Sequence, residues 1–370
     1  MSSLADKFIK STKLKGSGLL SEKASEDVVY YDTKIPALNL AFSSWLNKGY
    51  TYGITSIAGR SKSFKTLFGL LSCKAYMDAE PDSYMIFYDS EGGASSDYFE
   101  SVGIDVDRVI YIPIMNIEEL KFDMVNKLND IKSDYETSGK YSKFIWFIDS
   151  LGNLASNKEV QDALDSKSVA DMTRAKAMKS LFRIVTPFFK NYKMKLFCIM
   201  HTYDEIGGMG APKQIMSGGT GGMLSSDEVF IIGKRQIKDG TTLTGWQFIL
   251  NTEKSRSIRE KSAIPFEVTY EGGIDKYSGL LDIAVITGHV TKPKVGWFTR
   301  PSVQDDKNWR KKDTSTEEFW SPLLESEDFQ NSVHSLYALS GGNQLLQNRI
   351  DSILSDSSDV DSEEIDENID

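Results

Sequence analysis

Short apolar runs alternate with amphipathic stretches over most of this chain, beginning near residue 28. The runs are each four or five residues long and lie at 54–58, 84–88, 109–112, 144–148 and 196–200. Apolar residues recur at helical spacing between several of them, at 63–79, 117–131 and 169–189. Continuous apolar strands that alternate with helices are typical of a parallel sheet covered on both faces. We therefore predict an α/β fold with a mostly parallel, twisted sheet and helices on both of its faces.

The pattern differs before and after this region. At the N-terminus, Leu4, Phe8 and Ile9 predict a short amphipathic helix over 2–10, which a polar stretch over 11–27 separates from the rest. This helix either frays or docks on another surface, such as a neighbouring subunit. After residue 201 we predict three strands, at 228–232, 245–251 and 263–270, that form an antiparallel extension of the sheet. An irregular segment at 293–312 and two helices, at 317–340 and 343–354, follow them. We therefore divide the chain into an N-terminal helix with its linker at 1–27, a core at 28–284, a small C-terminal unit at 285–350 and a tail at 351–370.

Composition and charge narrow the class of protein. Apolar residues make up 40% and charged residues 26% of the chain, as in ordinary globular proteins. No apolar run is long enough for a membrane span, and the first residues lack the apolar core of a signal peptide. We therefore expect a cytoplasmic protein without a membrane partner. Residues 351–370 hold nine acids and no base, so the net charge of −10 falls to −1 without this acidic tail. We expect the tail to be disordered.

A phosphate-binding loop is predicted between the first apolar run and the helix that follows it. The pattern is glycine, four residues, glycine-lysine and then serine or threonine, and here Gly59, Lys65 and Thr66 match it. Phe64 stands where the pattern has a second glycine, and we expect it to keep an ordinary negative φ with its ring packed away from a nucleotide. Backbone N–H groups and a helix N-terminus would bind the phosphates, Lys65 would reach the terminal ones, and Thr66 would bind Mg²⁺.

Polar side chains follow several of the predicted strands, where parallel sheets bind their ligands. Asp149 ends the run at 144–148, and an aspartate there holds Mg²⁺ in P-loop ATPases. Glu91 follows the run at 84–88 and could take a proton from an attacking water, or could simply stabilise a helix start. Tyr98 could stack on a base or pack in the core. Lys254 and Arg256 could face a neighbouring subunit's phosphates or form a solvated charge run.

Two segments after predicted strands could hold the backbone of single-stranded nucleic acid. The first, 152–167, carries Asn153, Lys158 and Lys167, and the helix after it carries Arg174 and Lys179. The second, 202–222, contains Tyr203 and a glycine-rich stretch whose exposed N–H groups could bind phosphates. The residues of that stretch are Ser217, Gly218, Gly219, Thr220, Gly221 and Gly222. Aromatic residues are scarce in both segments, so base stacking would be limited.

Taken together, these motifs resemble the RecA family of strand-exchange proteins, and most closely its branch in T-even phages. The resemblance extends over about residues 28–325. The matching stretches are SKSFK at 61–65, DSLGNLAS at 149–156, ADMTRAKAMKSLFRIVTP at 170–187 and IIGKRQIKDG at 231–240. It implies a RecA-like P-loop ATPase core with a short N-terminal helical segment and a small C-terminal α/β or helical unit. Phe64 departs from the general loop pattern but not from this branch.

The resemblance also implies roles for individual residues. Glu91 would position or activate the water, Tyr98 would contact adenine, and Asp149 would hold Mg²⁺ through water. His201 stands where the family has a polar sensor, usually glutamine, and a histidine there can titrate near neutrality. Lys254 and Arg256 align with cations that cross the filament interface, the segments 152–167 and 202–222 with the DNA-binding loops, and the N-terminal helix would dock on the adjacent subunit. The ATP phosphates would bind at Gly59, Arg60, Ser61, Lys62, Ser63, Phe64, Lys65 and Thr66.

The function implied is an ATP-dependent DNA recombinase that works with ATP and Mg²⁺. It would form a helical filament on single-stranded DNA, pair it with a homologous duplex and exchange strands. A recombination mediator and a phage single-strand-binding protein would be its partners, in the host cytoplasm if a phage encodes the chain. Two alternatives share the same ATP site: a hexameric RecA-fold DNA helicase, and a non-catalytic paralogue that assists a true recombinase.

Overall fold

The computed structural model describes residues 4–12, 17–19, 21, 28–166, 173–205, 214–217, 220–239, 241–269 and 273–339. The chain divides into an N-terminal unit that ends at Tyr30 and a main unit that begins at Tyr31. The helices are α1 (Leu4–Ser11), α2 (Pro36–Ser43), α3 (Lys65–Ala79), α4 (Ser96–Val102), α5 (Ile117–Ser138), α6 (Asn157–Leu164), α7 (Thr173–Asn191), α8 (Thr220–Ser225), α9 (Leu280–Ile286), α10 (Glu317–Leu324) and α11 (Glu327–Tyr337). In the described ranges, none of them is long and apolar enough to cross a membrane.

The strands fall into a large sheet and a small one. They are β1 (Gly53–Gly59), β2 (Tyr84–Asp89), β3 (Val109–Pro113), β4 (Phe144–Asp149), β5 (Lys195–Asp204), β6 (Gln214–Met216), β7 (Glu228–Asp239), β8 (Thr242–Lys254), β9 (Ala263–Thr269), β10 (Gly273–Ile274), β11 (Thr291–Lys294), β12 (Trp297–Arg300) and β13 (Asp305–Arg310). The large sheet has the order β10-β9-β8-β7-β1-β5-β4-β2-β3, and β6 pairs with the end of β5.

The large sheet confirms the predicted mostly parallel architecture. Every neighbouring pair from β7 to β3 is parallel. The antiparallel extension consists of β8, β9 and β10. The prediction was wrong for β7, because this strand runs parallel to β1 and only its other edge pairs antiparallel with β8. β1 lies between β5 and β7, so the loop that follows it emerges from the middle of the sheet.

Both faces of the sheet are buried at its central strands, which explains the apolar runs there. In β4, Ile145 and Phe147 join the cluster that contains α3, whereas Trp146 and Ile148 join the cluster that contains α5 and α7. Successive side chains of a strand point to opposite faces, so each strand needs apolar residues at consecutive positions. Buried side chains of α9, α10 and α11 belong to the α3 cluster. The predicted start of a separate C-terminal unit at residue 285 stays a prediction.

Several predictions for the C-terminal part are corrected. Residues 293–312 are not irregular: β11, β12 and β13 form a small antiparallel sheet. Phe298 and Trp309 are cross-strand partners, and Trp309 packs edge-on against Phe319 of α10. The single helix predicted over 317–340 is two helices, because the Ser326 side chain accepts a hydrogen bond from the backbone of Phe329 and begins α11. The helix predicted at 343–354 and the acidic tail lie outside the described residues.

The N-terminal unit contains α1, close to the helix predicted over 2–10. None of its residues is buried, and Leu4 and Phe8 are each 65% exposed. Most of the polar stretch over 11–27 lies outside the described residues. Within its own unit, α1 therefore presents an apolar surface to solvent.

Candidate nucleotide site and nucleic-acid loops

The segment between β1 and α3 forms a tight loop at the carboxyl edge of the sheet. Ser63 Oγ and Lys65 Nζ both donate to the carbonyl of Arg60, each at 2.8 Å. Lys65 is only 7% exposed, so its ammonium lies inside the curve of the loop. Burial lowers the pKa of Lys65, and the carboxylates of Asp149 and Glu91 oppose part of this shift. The loop thus places a desolvated cation where an anion would gain most from it.

Phe64 contradicts the expectation of an ordinary backbone at this position. Its φ is 58° and its ψ is 23°, a left-handed conformation directly before α3. Lys62 also has a positive φ, of 57°. The loop therefore takes up the left-handed conformation here with non-glycine residues at both positions. The Phe64 ring lies 4.8 Å from the Phe248 ring, and this contact helps to hold a residue type that is strained at positive φ.

Asp149 at the end of β4 faces the beginning of α3. Thr66 Oγ1 donates to Asp149 Oδ2 at 2.7 Å, so the two predicted Mg²⁺ residues are in direct contact. Burial raises the pKa of Asp149 to about 6, although the hydrogen bond from Thr66 acts in the opposite direction. A hydroxyl beside a buried carboxylate is a donor set that suits a hard cation such as Mg²⁺. These two residues therefore fit the predicted metal role.

Glu91 is the centre of a hydrogen-bonded cluster at the same edge. Its Oε1 accepts from Ser150 Oγ at 2.7 Å and from Asn153 Nδ2 at 2.8 Å, and His201 Nε2 lies 3.0 Å away. Partial burial alone would raise the pKa of Glu91, but the hydrogen bonds from Ser150 and His201 lower it below its ordinary value. The cluster keeps Glu91 ionised and fixes its orientation. Asn153, predicted to contact DNA, lies here beside a predicted catalytic acid.

Lys65, Thr66, Asp149 and Glu91 line one cleft of about 400 Å³. Tyr98 of α4 forms part of its wall, and burial followed by the charge of Asp149 raises the pKa of this phenol. The lining residues are Ser61, Lys62, Ser63, Phe64, Lys65, Thr66, Leu67, Glu91, Tyr98, Asp149, Ile199 and His201. The structure therefore brings together residues that lie up to 140 positions apart in the sequence.

Lys254 and Arg256 do not line this cleft. Lys254 Nζ donates to the carbonyls of Met223 at 3.2 Å and Leu224 at 2.7 Å, at the C-terminal end of α8. Arg256 Nε lies 2.7 Å from Asp227 Oδ1. Both cations therefore contact groups of their own chain at the end of β8. Their predicted action on a neighbour's phosphates is not contradicted by these contacts, since the Arg256 side chain is 70% exposed.

The first predicted DNA-binding segment is more ordered than a loop. A 3-10 turn at Leu151–Asn153 leads to α6, which begins with a capping box between Ser156 and Glu159. Lys158 pairs with Asp162 on the same helix. The Arg174 guanidinium donates to the carbonyls of Gly152 and Leu154 and so braces this segment from α7. Lys167 lies outside the described residues.

The second segment is also partly regular. The end of β5 pairs with β6 in a short antiparallel ladder, and Tyr203 there is 56% exposed. Ser217 donates its backbone N–H to the His201 carbonyl at 2.8 Å. Gly218 and Gly219 lie outside the described residues, and Thr220 begins α8. At its base, the Asp204 carboxylate accepts two hydrogen bonds from Arg60 of the phosphate loop, at 2.7 and 2.8 Å.

Gly221 and Gly222 correct the expectation of an exposed glycine backbone. Both are buried against α7. A Cβ atom at Gly221 would lie 3.0 Å from Lys179 Cα, and one at Gly222 would lie 3.0 Å from the Phe182 ring. These glycines are needed for close packing of α8 on α7, whereas the Lys179 side chain itself is exposed.

Sequence reasoning missed Ser150, Asp204 and Asp227 as functional candidates. Ser150 belongs to the DSLGNLAS stretch at 149–156, but nothing in the sequence joins it to Glu91. Asp204 pairs with Arg60, 144 positions away, and Asp227 pairs with Arg256, 29 positions away. An acid beside a strand is common, so its partner becomes visible only once the sheet order is known.

Comparison with known proteins identifies the class that this fold and cleft define. The chain is 25% identical over 288 residues to the protein RecA of Streptomyces avermitilis, covering 76% of this chain and 70% of the relative. The RecA of Streptomyces venezuelae matches to the same extent. The chain is a RecA-like recombinase. It is also 44% identical over 365 residues to the recombination and repair protein of enterobacteria phage T4, covering 96% of this chain and 91% of the relative.

A family model supports the same assignment. The model of the C-terminal domain of the bacteriophage T4 recombination and repair protein matches residues 277–333. The chain therefore belongs to the family of the phage T4 recombination and repair protein, UvsX. This confirms the family predicted from the sequence motifs.

Proposed function

We propose that this recombinase is a DNA-dependent ATPase that forms helical filaments on single-stranded DNA and exchanges strands with a homologous duplex. The observation that carries the proposal is the convergence of Lys65, Thr66, Asp149 and Glu91 on one cleft whose edges continue into both predicted DNA-binding segments. A cleft built in this way couples the state of a nucleotide to the position of the DNA. The phage relative named for recombination and repair and the two bacterial relatives named RecA support it.

The roles of the residues follow from the geometry of the cleft. The loop from Gly59 to Thr66 would hold the phosphates of ATP, with Lys65 leaving its contact with the Arg60 carbonyl to bind them. Thr66 and Asp149 would hold Mg²⁺, which when bound would supply positive charge next to the phosphates. Glu91 is ionised and points into the cleft, so it can orient a water and accept its proton. Tyr98 would contact the adenine.

His201 would connect hydrolysis to DNA binding. Its ring contacts Glu91 and Ser150 on one side, while its own backbone carbonyl accepts from Ser217, where the glycine-rich stretch begins. A change in the group that Glu91 contacts would therefore move His201 and, through its carbonyl, Ser217 at the start of the glycine-rich stretch. In a filament, Lys254 and Arg256 would contact the nucleotide of the next subunit, and loss of the terminal phosphate would favour release of DNA.

Filament assembly is supported by apolar surfaces that each of the two units exposes when it is considered by itself. The N-terminal helix α1 presents Leu4 and Phe8. At the edge of the large sheet, β3 exposes Ile110 by 40% and Tyr111 by 50%. An exposed edge strand with apolar side chains is a template for association with another chain. We propose that α1 docks on an adjacent subunit, and that a recombination mediator and a phage single-strand-binding protein assist loading.

The test is ATP hydrolysis with and without single-stranded DNA in Lys65→Ala. We expect DNA-stimulated turnover to fall by roughly 10²-fold or more, because a cation that stabilises the phosphates is lost. Lys74→Ala is the matched control, since Lys74 lies on the same helix and pairs with Asp78 on its surface. Unchanged turnover in Lys65→Ala would contradict the assignment of the phosphate loop.

A further inference from the structure

Asp227 is a buried acid with two cationic partners. The residue lies between α8 and β7, and its side chain is 3% exposed. Lys190 Nζ and Arg256 Nε each lie 2.7 Å from Oδ1, while Oδ2 accepts the backbone N–H of Ile54 at 3.0 Å. The hydrogen bond from the Ile54 amide to this ionised carboxylate is charge-assisted, a kind that is stronger than a neutral hydrogen bond. Both oxygens of the carboxylate are therefore in use, and each fixes it in a different direction.

The surroundings leave Asp227 little freedom to move. Its backbone N–H donates to the Ile54 carbonyl at 2.7 Å, and Ser226 Oγ lies 2.8 Å from Ser56 Oγ. A Cβ atom at Gly53 would lie only 2.2 Å from Asp227 Oδ2, so glycine at the start of β1 makes room for the carboxylate. The acid is thus attached to the strand that leads into the phosphate loop.

Arg256 is held differently at its two ends. The Nε end contacts the fixed carboxylate, but the side chain as a whole is 70% exposed. A guanidinium has five N–H donors in a rigid fork, so the donors that Asp227 does not engage are available to a second partner. A lysine at this position would have a single nitrogen for both tasks.

Asp227 also lies where both predicted DNA-binding segments meet the sheet. It is two residues beyond the end of α8, the helix that continues the glycine-rich stretch, and α8 carries the carbonyls that hold Lys254. Lys190 is in the last turn of α7, which follows the first segment. A shift of α8 would therefore move the anchors of Lys254 and Arg256 together.

We propose that Asp227 is the positioning residue for Arg256: it orients the guanidinium so that its exposed donors reach the nucleotide of the next subunit, and it links that position to α8. The inference rests on the proposed role of Arg256 in trans. Removing the carboxylate leaves the charge of Arg256 intact but releases it from the strand. The phosphate loop has its own contacts from Ser63 and Lys65 to the Arg60 carbonyl, so we expect the nucleotide affinity of a single subunit to stay unchanged.

The experiment compares Asp227→Asn, Arg256→Ala and the double variant in full-length protein. The readouts are kcat and KM of ATP hydrolysis on single-stranded DNA, nucleotide affinity without DNA, and thermal unfolding. For Asp227→Asn we expect kcat to fall roughly 10- to 100-fold, the cost of misplacing a catalytic group by about 1 Å, with KM and nucleotide affinity unchanged. The double variant should be no slower than Arg256→Ala, because Asp227 acts only through Arg256.

Two further variants separate positioning from stability. Lys190→Met removes the other ion pair of the same carboxylate, so it should lower thermal stability and leave kcat within about twofold of the unchanged protein. Arg256→Lys keeps the charge, but one ammonium cannot contact Asp227 and a neighbour at once, so kcat should fall as in Asp227→Asn. If Asp227→Asn does not fold, Arg256→Lys tests the positioning role of Asp227 in its place.

The outcomes distinguish this proposal from the proposed function. Full kcat in Asp227→Asn or Arg256→Lys, with Arg256→Ala inactive, would overturn the positioning role and leave the action of Arg256 in trans intact. An additive loss in the double variant would overturn it in the same way. Full kcat in Arg256→Ala would overturn the role in trans itself and the positioning role with it.

Discussion

At the residue scale, Asp149 combines a structural cost with a predicted function. Burial raises its pKa to about 6 in the folded chain, against an ordinary value of 3.8. The ionised carboxylate therefore destabilises the fold above pH 6, by about 2–3 kcal/mol, and this cost fades as the pH falls from 6 towards 4. A carboxyl group whose ionised form lowers the stability of the fold is typical of a functional site.

Asp149→Asn is expected to separate these two effects. Asparagine keeps an oxygen that can accept from Thr66, but it carries no charge. Without nucleotide, the free energy of unfolding should exceed that of the unchanged protein by about 2 kcal/mol near pH 7.5, with a smaller difference near pH 5. Mg²⁺-dependent ATP turnover should be lost. Urea unfolding at several pH values measures this difference in the free energy of unfolding. A difference that does not vary with pH would contradict the destabilising effect of the ionised Asp149 carboxylate.

The sequence predicted individual residues where a local pattern dictates their chemistry. Lys65 and Thr66 follow from the spacing of a phosphate loop, and Asp149 from its place at the end of an apolar strand. The conformation of Phe64 was predicted wrongly, because residue type favours negative φ while the loop requires 58°. Partnerships such as that of Asp227 with Arg256 depend on which strands are neighbours, and no local pattern encodes that.

At the element scale, strands buried on both faces were the easiest to predict. β2 and β4 are continuous apolar runs up to their final aspartate, β5 contains one at 196–200, and in β1 buried Thr55 and Ser56 interrupt the apolar positions. The structure gives these strands bounds within a few residues of those predicted. The strands β11–β13 were missed because only Phe298, Arg300 and Trp309 are buried there, and lysines occupy much of the exposed face. α8 was missed because its glycines resemble a loop until the close contact with α7 is seen.

Helix α1 supplies a prediction at this scale. Changing Leu4 and Phe8 to alanine removes the apolar surface proposed to dock on an adjacent subunit. Each side chain contributes about 1.5 kcal/mol when buried, so the cooperativity of binding to single-stranded DNA should fall roughly 100-fold. Lys7→Ala, on the same helix, is the control. Titrations of a fluorescent single strand measure cooperativity. A loss of nucleotide affinity in the double variant, with cooperativity kept, would contradict docking in trans.

At the scale of the whole molecule, charge is distributed unevenly between a nearly neutral body and the tail at 351–370. The tail should compete with DNA phosphates for basic residues of the body. Its removal is expected to tighten binding of single-stranded DNA, most strongly at low salt, because screening weakens the competition as salt rises. A chain with the nine acids changed to their amides controls for length. Equal affinities at low salt for all three chains would show that the tail does not compete with DNA.

The central claim is that this chain acts as a filament with ATP between its subunits. Electron microscopy of the full-length protein on single-stranded DNA, with a slowly hydrolysed ATP analogue, tests it most directly. We predict continuous helical filaments that cover the DNA and that shorten in the variant with Leu4 and Phe8 changed to alanine. Separate closed rings threaded on the DNA would contradict the account and would favour a hexameric helicase.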